Sequence, residues 1–175
     1  DVGAPGTNIA SGYFGSYQTI TTDDFSSGWG LFFWDRNYLD SSFWALTNPH
    51  YFDYNKHYFV YSDYSIYKSF NLASYSNAIL YFEAYIDTQS NCDYFSAKFK
   101  SGTSDPFTGG IQLLRVSGRH STPSNRVYYG LLFDISSCAG SNCSIGFKLQ
   151  SDESVEYTGV AIRNFAIVNA NTSVI

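Results

Sequence analysis

Three residue types in this chain could carry chemistry: serines in small-residue runs, three scattered histidines, and carboxylates in loops. Ser104 lies in Ser101-Gly102-Thr103-Ser104-Asp105-Pro106, a run of small residues that could expose a hydroxyl nucleophile. Such a serine needs a base within hydrogen-bond reach. His50, His57 and His120 stand far apart in sequence and none has a recognisable catalytic context. Pro106 also disfavours a helical conformation at Asp105, so the segment is expected to be a polar turn between two strands. No His/Cys spacing matches a zinc site. Asp23 and Asp24, with Asp87, Asp152 and Glu153 further on, offer the hard oxygens that calcium prefers, and Asp23-Asp24 is the candidate metal position. The other reading of these acids is solvated loop carboxylates.

The chain has 16 Tyr and 15 Phe, 19% aromatic in all, but only 14% charged residues. Aromatic side chains suit a pleated, half-buried surface, and the apolar residues come in short interrupted runs rather than helical stripes. At 175 residues one domain can bury a substantial core. Ten Lys and Arg against fifteen Asp and Glu give a net charge of -5, which offers no basic footprint for phosphate and excludes DNA and RNA as partners. No apolar run is long enough to span a membrane as a helix. The absence of methionine and of a basic-then-apolar leader leads us to expect that the chain starts at a processing site, with any export signal upstream.

Period-two alternation is the strongest local signal. Val127, Tyr129, Leu131, Phe133 and Ile135 share one face, and Ile145, Phe147 and Leu149 repeat the pattern after a turn, so these two segments are expected to form a hairpin. Leu80, Phe82, Ala84 and Ile86 point inward opposite Tyr81, Glu83 and Tyr85, as Phe95, Ala97 and Phe99 do opposite Tyr94, Ser96 and Lys98. Further strands are expected at 43–46, 57–61, 66–70, 111–116 and 160–168, the last with a change of parity that places a bulge near Asn164. About nine strands and no convincing helix imply an all-β, two-sheet antiparallel jelly-roll sandwich. Residues 169–175 read as a polar linker.

Cys138 and Cys143 flank the turn Ala-Gly-Ser-Asn, and a bridge across that hairpin turn is expected, the alternative being two reduced thiols. Cys92 is unpaired in either case. The outward set Tyr81, Glu83, Tyr85 and Tyr94 forms a candidate binding face, because tyrosine supplies contact area with a polar handle and sugar rings can stack on it. Packing of that face against another domain is the alternative. Trp29, Trp34 and Trp44 are read as core anchors.

Two resemblances follow. Residues 1–11, DVGAPGTNIAS, resemble the subtilase segment in which a buried strand enters an Ala-Pro-Gly turn, between the catalytic Asp and His and the catalytic Ser. Those catalytic segments are not in this chain, and Ser101-Gly102-Thr103-Ser104 lacks the Met-Ala helix that follows the subtilase serine. Residues 22–168 resemble the MAM-like jelly-roll domains appended to secreted proteases, through DDFSSGWGLFFW, the run from Asn71 to Glu83, FDISSCAGSNCSIGFKLQSD and GVAIRNFAIV. Arg163-Asn164 replaces that group's closing acidic pair, which weakens the expectation of a family-type calcium site.

Together the resemblances imply a catalytic-domain remnant at 1–11, a galactose-binding-like or MAM-like sandwich at 12–168 and a linker at 169–175. The implied function is a noncatalytic accessory domain, extracellular or at the cell surface. It would be inserted in a subtilisin-like serine protease, with the parent's catalytic domain as one partner and a protein or glycan as another. A free-standing lectin-like or adhesive module is the alternative, and an independent hydrolase ranks last.

Overall fold

The computed structural model describes residues 17–23, 44–46 and 57–170. Nine strands account for most of them: β1 (Tyr17–Asp23), β2 (Trp44–Leu46), β3 (Asp63–Asn71), β4 (Ile79–Asp87), β5 (Tyr94–Ser101), β6 (Ile111–Val116), β7 (Tyr129–Asp134), β8 (Asn142–Gln150) and β9 (Gly159–Ala170). A single 3-10 turn, Ser136–Cys138, is the one helical element among them. The first sheet has the order β1-β9-β4-β7, with β2 also on β9, and the second β3-β8-β5-β6. All pairings are antiparallel.

Setting β2 aside makes the logic visible. The remaining strands pair outermost with outermost along the chain, as β1 with β9, β3 with β8, β4 with β7 and β5 with β6. That is a long ribbon of paired strands rolled onto itself, the jelly roll. Apart from β5 and β6 at the turn of the ribbon, rolling sends consecutive strands of the ribbon to opposite sheets, so β7 and β8 are not the hairpin that their shared alternation suggests. They sit in different sheets, and the connection between them crosses the end of the sandwich.

The inward residues of both sheets make one core. Phe82, Phe95, Phe147 and Phe165 are fully buried, with Phe147 meeting Phe82 at 4.9 Å, Phe95 at 6.2 Å and Phe165 at 6.4 Å between ring centroids. Such offset and edge-on pairs stabilise beyond their area burial. β9 supplies this core with residues of both parities, Val160 and Ile162 and then Phe165 and Ile167. The change occurs at a bulge in the pairing with β4 between Tyr81 and Glu83, where Asn164 takes a φ of 50°. An asparagine tolerates that left-handed conformation better than a branched residue would.

Three further points differ from the sequence reading. β1 runs where no strand was expected. The segment at 57–61 is a loop and turn instead of a strand: Tyr58 is buried and Tyr61 has a φ of 53°. Its amides bind the 152–157 segment outside any ladder, Tyr58 N–H to the Tyr157 carbonyl at 3.1 Å and Tyr61 N–H to that of Asp152 at 2.7 Å. β9 also continues through Asn169 and Ala170, so the sandwich takes in the first residues of the expected linker.

Candidate binding cleft

The candidate tyrosine platform does not exist as one surface. Tyr81, Glu83 and Tyr85 lie on β4 in the first sheet and Tyr94 on β5 in the second, so their outward faces are opposite sides of the sandwich. Tyr81 and Tyr85 are 5% and 0% exposed, which removes them as a stacking surface. The Tyr85 hydroxyl is 2.8 Å from Thr158 Oγ1, and its ring lies 5.9 Å from that of Tyr128. The Tyr81 ring lies across β7 at Gly130, where a Cβ would come within 3.0 Å of its hydroxyl. Tyr81 donates to Glu83 at 3.1 Å, and Glu83 pairs with Arg163, whose guanidinium covers the Tyr128 ring at 3.9 Å. Tyr94 is stacked under Arg115 at 3.3 Å.

The acids are likewise committed. Asp23 is 7% exposed at the end of β1, beside Phe165 of β9, while Asp24, Trp29, Trp34 and His50 lie outside the described residues. Asp87, 1% exposed, accepts from Arg119 Nε at 2.7 Å and from the Thr158 hydroxyl and amide. Donors from three groups offset the cost of burying that charge. The Asp152 carboxylate accepts the Ser154 amide at 2.8 Å, which holds its pKa below the usual range. Among the described residues, no three His, Cys, Asp or Glu side chains cluster as a metal would require.

A second buried acid, Asp93, accepts the Tyr58 hydroxyl and the Asp152 amide, tying the 57–62 loop to the start of β5. Burial first and the Asp93 bond second raise the Tyr58 phenol far above its usual range. Cys138 and Cys143 are bridged, with Cα atoms 5.5 Å apart. The bond ties the 3-10 turn to β8 within the crossover from β7. Cys92 is a free thiol pushed up by its hydrogen bond to Asp152, which makes it a poorer nucleophile at neutral pH.

The site that alternation alone could not reveal is at the other side. β6 is the last strand of one sheet and β7 of the other, so the two edges face each other across the core. Between them is a cleft of about 190 Å³ lined by Ile86, Leu114, Val116, His120, Tyr129 and Leu131. One end is closed by the 117–121 loop, which is stitched to β4: Ser121 N–H donates to the Ile86 carbonyl at 2.7 Å, and Thr88 N–H to that of Gly118 at 3.2 Å. The polar atoms of the lining are turned away. Tyr129 donates its hydroxyl hydrogen to the His120 carbonyl at 2.8 Å, and His120 Nε2 donates to that of Ser117 at 2.9 Å.

Ser101 to Asp105 form the polar turn that the sequence implies, closed by the Asp105 side chain on the Phe107 amide at 2.8 Å. Among the described residues no serine or cysteine side chain is hydrogen-bonded to a histidine, the contact that activates a nucleophile. No protein-family model matches the chain, and no curated protein sequence matches it. The physical content of the site is therefore an apolar slot between two strand edges.

Proposed function

We propose that this chain is a noncatalytic accessory module of an exported subtilisin-like serine protease, inserted in the catalytic domain and presenting a binding surface to a protein partner. The observation that carries the reading is the pairing of β1 with β9, in which Tyr17 lies opposite Ala170. Neighbouring strands are about 5 Å apart, so the sandwich is entered and left at one place. A loop of another domain can accept such a unit without separating its own ends. The Ala-Pro-Gly segment at residues 4–6 gives the host its character, and the Cys138–Cys143 bridge suits an oxidising compartment.

The free-standing lectin-like or adhesive alternative took its sugar-stacking face from the tyrosine platform. Its division between opposite faces removes that support. The encoding gene tests the protease reading: the coding sequence before Asp1 is expected to carry the catalytic Asp and His segments, and that after Ile175 the Gly-Thr-Ser-Met-Ala segment. Absence of either one overturns it.

A further inference from the structure

We infer that the cleft between β6 and β7 is a docking site for an extended peptide, which adds as a strand to the edge of β7 that no described strand pairs and drops one aromatic or branched aliphatic side chain between the sheets. The inference rests on the reading of the chain as a noncatalytic binding module, and not on its place in a protease.

Size and chemistry define the side chain. A dry apolar cavity of about 150 Å³ takes a benzene-sized group. This cleft, about 190 Å³, matches one such group and is smaller than the sites that hold drug-sized ligands. Because the Tyr129 hydroxyl and His120 Nε2 are bound to backbone carbonyls, the slot has no polar group aimed inward to recognise a sugar or a charged head.

The strand edge defines what carries the side chain. β7 pairs with β4 alone among the described residues, in unbroken register from Ile79–Asp134 to Ala84–Tyr129. Alternate residues of an antiparallel strand turn both N–H and C=O away from their partner, a row with the spacing of another extended backbone. β6 is the poorer template, because its pairing with β5 shifts register between Ala97 and Lys98, and bulges disrupt edges. β7 carries little edge protection: YGLLFD has no Lys and no Pro, and its one charge, Asp134, is at the end. Tyr129, 41% exposed, stands at the opening. Charge selects further. Asp134 is exposed at the end of β7, so a Lys or Arg at the end of the peptide that reaches it is favoured.

The test uses the whole chain and a set of seven-residue peptides, capped at both ends, with terminal Lys, alternating Thr and Val, and a central residue varied through Phe, Leu, Ala and Asp. Calorimetric titration is expected to show Phe and Leu peptides binding about tenfold or more tighter than the Ala peptide, and no binding of the Asp peptide. Methylating alternate backbone nitrogens of the Phe peptide should abolish binding, and that control needs no protein variant. Val116→Phe, which fills the slot, should do the same while leaving the thermal transition in place. No binding of any peptide, or binding that survives both changes, overturns the proposal. So does benzene uptake without peptide binding, or a peptide-free dimer in sedimentation that Val116→Phe dissociates, which would make the occupant a small hydrophobe or a second copy. None of these outcomes bears on the gene-flank test of the protease setting.

Discussion

The outward face of β4 and the edge of β7 are adjacent in the same sheet, yet one is sealed and the other open. Tyr81 and Tyr85 are buried, although both point away from the sandwich core, whereas Tyr129, which faces the core side, is 41% exposed. An outward direction is a property of the strand. Exposure is a property of what lies on top, and here Tyr128 with the Glu83–Arg163 pair covers the outer face, while among the described residues no strand closes the β6–β7 gap. The proposed docking site is therefore the open edge and not the buried tyrosines.

The sharpest way to break this contrast is to cut a side chain from each region. Phe147→Ala is expected to cost about 3–5 kcal/mol, because the ring is fully buried among three others, and Leu131→Ala at the cleft less than about 2 kcal/mol, read by urea unfolding. Equal costs would mean that the edge is as tightly packed as the centre. Next comes the disulfide. Replacing Cys138 and Cys143 together by Ser should lower stability by about 2 kcal/mol, the effect of a short closed loop on the unfolded chain. Reductant should then make no difference to the variant.

The alkaline limb probes a third region, the 57–62 loop held to the start of β5 by Tyr58 and Asp93. A phenol whose pKa is higher in the folded state holds its proton more tightly there, so the stability that Tyr58 contributes is complete below the unfolded value near 10 and is lost as pH climbs above it. Wild-type stability should fall through that range. In Tyr58→Phe, lower at neutral pH because Asp93 loses a donor, the fall should be shallower. An unchanged slope would place the alkaline transition elsewhere. Smallest of all, Tyr129→Ser should lower stability by about 1 kcal/mol while weakening peptide binding, since the ring is 41% exposed at the cleft mouth and its hydrogen bond to the His120 carbonyl is lost.

Much of the sandwich was legible because period two survives in its strands. Leu80, Phe82, Ala84 and Ile86, and Phe95, Ala97 and Phe99, are core residues as their alternation implies, and the parity change in β9 marks the bulge at Asn164. Alternation is silent about which sheet a strand joins. Val127 to Ile135 and Ile145 to Leu149 therefore read as a hairpin, whereas the roll of the ribbon puts them in opposite sheets. For the same reason Tyr81, Glu83, Tyr85 and Tyr94 read as one face, and the β6–β7 cleft could not be seen: its lining comes from β4, β6, β7 and a loop that only the topology brings together. β1 was missed because Tyr-Gln-Thr-Ile-Thr-Thr-Asp is polar on both parities, as suits a short edge strand whose burial is partial.

The most direct test of the account is a backbone and methyl NMR titration of the whole chain with the Phe-centred peptide. The account predicts shifts at Leu114, Val116 and Leu131 and slowed amide exchange along β7, with Tyr67, Lys98 and Phe107 on the outer face of the other sheet unmoved. Shifts centred on that outer face, with β7 amides unprotected, would contradict it.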